Sequence, residues 1–211
     1  MKTSAKSIDL TKGAIWKGLI LFMLPLLFGD MFQQFYNLAD SIIVGQHLGK
    51  QALAAVGSTS TLTNAIIGLF LGFSVGAGVI ISQVFGAKDT DRLSRAIHTT
   101  LTITFLSGLL FTALGLLLSS FLIRAIKAPA DVYDGALLYN RIYFSGLAGL
   151  IEYNMGSGIL RSIGDSKTPT IALVLSSLLN IVLDLLMVMV LGWGIAGAAI
   201  ATVLTQFLSA A

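Results

Sequence analysis

The chain has 211 residues, of which 55% are hydrophobic and only 11% charged, with a mean hydropathy of +0.89. Soluble domains carry about 25% charged residues, so this composition excludes one and predicts an integral membrane protein. The absence of cysteine excludes a disulfide framework, a thiolate metal site and a Cys nucleophile. The net charge of +3 gives no reason to expect a nucleic-acid partner, because the basic residues fall between apolar runs.

Six stretches reach membrane-spanning length, near residues 14–44, 52–83, 93–122, 133–157, 168–191 and 195–211. Each is expected to be a helix, because a lone segment in lipid must satisfy its own backbone. The lysines ahead of the first span resemble a signal peptide. No A-x-A-like cleavage site follows, so this span is expected to stay in place.

The first span carries Asp30, Gln33, Gln34, Asn37, Asp40 and Ser41. At about 100° per residue these six fall within an arc of roughly 120°, with Met31, Phe32, Phe35, Leu38, Ala39 and Ile42 opposite. Carboxylates at membrane depth are costly and usually face a bundle interior or a watery cavity. The stripe is therefore expected to line a polar path rather than to act only as a seam between helices. Pro25 removes a backbone donor and is the expected hinge of this span. Gly68, Gly72 and Gly76 form a small-residue ridge in the second span, and Ala96, Thr100, Thr104 and Gly108 one in the third. Both are expected to admit a neighbouring helix closely.

Nine basic residues lie on one side of the predicted spans (Lys2, Lys6, Lys12 and Lys17; Lys88, Arg92 and Arg95; Arg161 and Lys167). Three lie on the other, Lys50, Arg124 and Lys127, with Arg141 in or beside the fourth span. The positive-inside rule then puts the N-terminus and the loops near 84–92 and 158–168 in the cytoplasm. The expected location is the cell's inner (cytoplasmic) membrane, multi-pass.

The first and fifth spans then run outward, and the chain repeats itself. Asp40 is followed nine residues later by Gly49 in a Leu-Gly turn, and Asp184 eight residues later by Gly192 in another. Each aspartate thus lies roughly 12–14 Å below the outer surface, where the two could meet. Ser177, Asn180 and Asp184 share a face, and Thr202 on the returning sixth span reaches the same level. Their carboxylate, amide and hydroxyl oxygens suit a hard cation, and two adjacent carboxylates can instead hold a proton. The alternative is an Asn180–Asp184 pair that merely locks helices together.

Tyr36 and Tyr139, with Phe32, Phe35 and Met31, are weighed as a pocket for aromatic ligands or as packing. His47 is expected in an outer loop and His98 near the inner end of the third span, neither with metal-ligand partners. Glu152 is expected to pair with Arg161 or Arg141. No nucleophile–base pattern, phosphate loop or HExxH occurs, so neither an enzyme nor a cofactor is expected.

Three separated motifs carry a resemblance that extends over essentially the whole chain. Pro25, Gln33-Gln34-Phe35-Tyr36-Asn37 and Asp40-Ser41-Ile42-Ile43-Val44-Gly45 resemble the first helix of the multidrug and toxic compound extrusion (MATE) family. Ser82-Gln83-Val84-Phe85-Gly86-Ala87-Lys88 resembles the loop after its second helix. Leu160-Arg161-Ser162-Ile163-Gly164-Asp165-Ser166-Lys167-Thr168-Pro169 resembles its helix four–five loop.

The resemblance implies a six-helix bundle that forms one lobe, the N-terminal one, of a two-lobed, twelve-helix transporter. Such a transporter exports cationic, often aromatic, compounds by antiport with Na+ or H+. It implies a cation or proton site at Asp40, Asn180, Asp184 and Thr202, which is the only metal site expected, and that for Na+. It implies a substrate cavity at Gln33, Tyr36, Asn37, Tyr139 and Ser177. Its partners would be small organic cations, the bilayer, and a C-terminal lobe or a second copy in parallel orientation. The sixth span is expected to be truncated at Ala211. Asp30 departs from the family pattern, as an extra proton site or a hydrogen-bond partner of Gln33 or Gln34. The rival readings are a lipid-linked-oligosaccharide flippase, whose cavity should be rich in Arg and Lys, a non-transporting membrane assembly subunit, and a channel.

Overall fold

The computed structural model describes residues 15–210, and Lys2, Lys6, Lys12 and Ala211 fall outside them. Within that range the chain is helical with no strand. The first helical run, Trp16–Gly86, has 71 residues and would reach about 107 Å if straight, several times a bilayer core of about 30 Å. It is folded back at Gly49, the one residue between Ile15 and Gly86 with non-helical dihedrals. We call its halves α1 (15–48) and α2 (50–86). The first two spans are thus longer than expected at their shared end, where one residue does the work of a loop.

Gly49 has φ 83° and ψ −178°, a region that is essentially reserved for glycine. Nothing lies within 4 Å of a Cβ built there, so the constraint is the backbone and not crowding. Gly49→Ala is expected to cost about 1–3 kcal/mol, read as a lower melting temperature of the purified protein. Unchanged melting would show that the turn accepts a side chain.

The other elements are α3 (Thr90–Ala125), α4 (Tyr133–Ser145), α5 (Leu147–Ser162), α6 (Lys167–Asp184), a π-helical turn (Leu185–Val190) and α7 (Gly194–Ala210). Asp89 caps α3, accepting from Arg92 N at 3.0 Å. The Gly164-Asp165 pair explains the next turn. Gly164 takes φ 87°, and Asp165 accepts from the N–H groups of Lys167 and Thr168 at 3.1 and 3.0 Å. These are first-turn donors that no helical carbonyl can satisfy.

The fourth span, expected as one helix, is split at Gly146. There Val203 of α7 comes so close that a Cβ would sit 2.7 Å from its Cγ2. Gly108 meets the Ala148 backbone at 3.1 Å by the same measure, and Gly149 meets Phe207 at 3.0 Å. Small residues therefore let α4 and α5 sit at the centre of the bundle, against α2, α3 and α7, as close packing in lipid requires. The expected ridge of the third span does this at Gly108 and at buried Thr104. The ridge of the second span does not, since nothing lies within 4 Å of a Cβ at Gly68, Gly72 or Gly76. It faces away from the other helices of this chain.

Apolar clusters fill the spaces between helices. Val44, Val56, Val188 and Ala199 pack with Tyr139 near the Gly49 end, and Ile81, Met155 and Ile159 pack near the opposite end. Met31, Phe35, Leu38 and Ile42 are exposed on α1, on the face opposite its polar stripe. His47 lies in the last turn of α1 rather than in a loop, with Nδ1 3.2 Å from the Ile43 carbonyl.

Candidate functional site

A cavity of about 360 Å³ opens between α1, α2, α4, α5, α6 and α7. From α1 it takes Gln33, Tyr36, Asn37, Asp40 and Ser41, at successive turns of one face. Tyr139 comes from α4, Ser177 and Asn180 from α6, and Thr202 from α7. Among the described residues, Asp40 is the only charged one in this lining. It is 8% exposed, and its Oδ1 is buried with no hydrogen-bond partner among the described residues.

Asp184 stands behind this wall. It is fully buried at 0% exposure and is not part of the lining. The Asn180 amide connects it to the cavity. Oriented so that both of its ends are satisfied, the amide donates to Asp184 Oδ2 at 2.7 Å and accepts from Thr205 Oγ1 and from Thr202 N, each at 3.3 Å. Asp184 Oδ1 keeps no partner. The Thr202 hydroxyl donates to the Ala198 carbonyl at 3.0 Å, which leaves its oxygen lone pairs free to accept. Asp40 and Asp184 lie within electrostatic reach of each other.

The backbone supports this arrangement. The α-helix ends at Asp184 and widens into a π-helical turn, in which Leu191 N bonds to Leu186 O at 2.9 Å. π-helical turns of this kind often sit at functional sites. On the far side, Gly29 of α1 presses on Thr170 and Leu173 of α6. The Thr170 hydroxyl lies 3.1 Å from the carbonyl of Pro25, the residue whose missing N–H leaves the carbonyl one turn earlier without its helical donor.

What the arrangement offers is one carboxyl oxygen without a donor in the cavity wall and a second, on Asp184, behind it, with no basic residue among the described residues of the lining. Unneutralised charge is expensive there, so the site favours a cation, small or organic, or a proton. Comparison with known proteins then decides the family, because the MatE family profile matches residues 25–186. The chain belongs to the MatE family.

The chain is 36% identical over 203 residues to "Probable multidrug resistance protein YpnP" of Bacillus subtilis (strain 168), covering 95% of this chain and 45% of that protein. It is 28% identical over 197 residues to the "FAD transporter" of Shewanella oneidensis, covering 92% of this chain and 43% of that protein. Among solved structures, a MOP superfamily transporter from Pyrococcus furiosus superposes with a TM-score of 0.90 at 34% identity, covering 97% of this chain and 45% of that one. The chain therefore spans less than half the length of these relatives. Its fold is that of one lobe of a two-lobed MATE transporter.

Within this MATE lobe, α1 supplies a narrower stripe than its sequence suggests. Gln34 lines neither this cavity nor a second cleft below it, and Asp30 faces that second cleft. Of the two alternatives for Asp30, its hydrogen bond to Gln33 or Gln34 is absent among the described contacts. Tyr36 and Tyr139 line the cavity, whereas Met31 and Phe35 are exposed and Phe32 is outside the lining. Glu152 pairs with neither Arg161 nor Arg141 among the described residues, and its Oε2 is buried without a partner. Arg161 lies nine residues further on, at the other end of α5. Arg141, the basic residue weighed for an anionic cargo, is exposed on α4 and lines neither cavity.

The sequence reading missed the contribution of α2, where Thr59, Ser60, Thr63 and Asn64 line the cavity. Their spacing of one and four residues is a helical polar face within an apolar span, the same signal that marked α1. Thr205 and Gln206 on α7 were missed as well.

Proposed function

We propose that this chain is the N-terminal lobe of a secondary active transporter that exports cationic, often aromatic, organic compounds by antiport with Na+ or H+. The observation that carries this reading is the pairing of Asp40, in the cavity wall with an unpartnered oxygen, with Asp184, fully buried behind Asn180. Asp40, Asn180, Asp184 and Thr202 take the coupling ion. Gln33, Tyr36, Asn37, Tyr139 and Ser177 contact the exported compound. The name of the Shewanella relative indicates that cargo varies within the family, so the compound class rests on this cavity's own chemistry.

The exchange follows from electrostatics. Two carboxylates at membrane depth need a positive partner in every state. A sodium ion or proton on them removes the attraction for an organic cation, and loss of that ion restores it. Two ligands that exclude each other from one site are negatively coupled, and the coupling is reciprocal. Pro25 serves as the hinge through which ion binding reshapes α1, because the bond it lacks leaves that turn easier to bend. Lys88, Arg92 and Arg95 around the α2–α3 turn, with Arg161 and Lys167 around the α5–α6 turn, support a cytoplasmic position for that end of the lobe.

Dye efflux from vesicles that carry the two-lobed transporter, with sodium and pH gradients imposed separately, tests the reading. Efflux driven by one gradient and lost in Asp40→Asn is expected. Efflux that persists with neither gradient would instead mark a channel.

A further inference from the structure

Below the first cavity lies a second cleft of about 660 Å³ between α1, α2, α5 and α6. Five residues line both spaces, Gln33, Ile67, Leu150, Tyr153 and Leu173. They form a collar where the two chambers meet, with the Tyr153 hydroxyl 3.4 Å from the Pro169 carbonyl of α6. The chambers differ in charge. Among the described residues the first has Asp40 and no basic residue, whereas the second has one acid, Asp30 on α1, and one base, Arg161 on the last turn of α5. Asp30 and Arg161 form no ion pair with each other among the described residues. The wall between them includes Phe22, Leu71, Val75 and Val79, with Ser74, Ser82, Asn154, Ser157 and Ser162 as polar points.

We infer that this second cleft is a separate loading site for zwitterionic amphiphiles, held with their cationic group at Asp30 and their anionic group at Arg161. A simple cation bound at Asp30 leaves Arg161, exposed like Asp30, facing a like charge across the cleft. A simple anion at Arg161 leaves the mirror problem. Only a molecule that carries both charges on an apolar body neutralises both ends. Passage through the collar then exchanges Asp30 for Asp40 as the partner of the cationic group. The upper cavity offers the anionic group no base among its described residues, so the lower cleft holds zwitterions that the upper cavity does not favour. This inference rests on the exporter reading for its direction of travel, but the binding it asserts does not.

The test uses rhodamine B, a zwitterion at neutral pH, and its ethyl ester, a permanent cation of nearly the same shape. Binding to the full-length transporter in nanodiscs is followed by fluorescence anisotropy, in an Asp40→Asn, Asp184→Asn background that removes charge from the upper cavity. Rhodamine B is expected to bind still, about tenfold more weakly after Asp30→Asn or Arg161→Gln, with affinity regained in Arg161→Lys. The ester is expected to lose affinity with Asp30→Asn and not with Arg161→Gln. Equal loss of both dyes in Arg161→Gln, or no loss in either variant, overturns the inference. Gradient-driven efflux that survives while these binding effects are absent leaves the exporter reading standing alone. Binding effects without gradient-driven efflux do the reverse.

Discussion

Asp184→Asn is expected to abolish gradient-driven efflux, by at least about tenfold, while leaving the melting temperature unchanged or higher. The two effects have opposite signs for one reason. Asp184 is fully buried, with one oxygen held by Asn180 and the other without a donor. An amide of the same shape keeps the Asn180 contact and removes a charge that low-dielectric surroundings do not neutralise. Folding therefore loses little or gains, but nothing remains to exchange a proton or bind a cation. If the pair only locked helices together, stability would fall and coupling would not be lost first. Parallel measurement of dye efflux and thermal unfolding in the same preparation separates the two. Retained efflux in this variant would remove Asp184 from the coupling site.

Gly115→Ala is expected to destabilise the lobe by about 1–3 kcal/mol, with Gly115→Leu worse. A Cβ on Gly115 would collide with Phe144 Cδ2 and lie 3.0 Å from both Cε2 and Cγ. Phe144 is fully buried, so the ring has no solvent or lipid side into which to withdraw. The collision would part α3 from α4 at the centre of the bundle. Gly115→Ala with Phe144→Leu should recover part of the loss, because the shorter side chain vacates the space. Gly72→Ala is the control. It meets nothing within 4 Å, and exchanging a helical glycine for alanine is neutral to stabilising by up to about 1 kcal/mol. Equal melting of Gly115→Ala and Gly72→Ala would show that the α3–α4 contact is looser than described.

Much of this was legible in the sequence, because periodicity in lipid reports which face is polar. Asp40, Asn180 and Thr202 were assembled from helical spacing and from two Leu-Gly turns, and the structure brings them to one cavity. The same reasoning put Asp184 in the cavity, whereas it lies one layer deeper. A rise per residue gives depth along a helix but not distance from its surface. Gly146 breaks the fourth span because Val203 needs the room, a demand made by a helix more than fifty residues later. The open ridge at Gly68, Gly72 and Gly76 shows the converse. Small residues permit close approach, and the partner that would use it is a separate fact. Thr59 and Thr63 were overlooked although, with Ser60 and Asn64, they carry the spacing that marked α1, because hydroxyls and one amide stand out less in an apolar span than carboxylates do.

The widened turn from Leu185 to Val190 makes this stretch sensitive to the number of its residues more than to their kind. A π-helical turn holds one residue more than an α-helical turn. Deleting one residue here would take out the residue that the wide turn absorbs and shorten the link between Asp184 and α7. Thr202 and Thr205 would then leave Asn180, although every side chain of the network was still encoded. Exchanging Val190, 74% exposed, for another apolar residue changes no such count. Length variation at this point is therefore the change least compatible with keeping the buried carboxylate in touch with its amide.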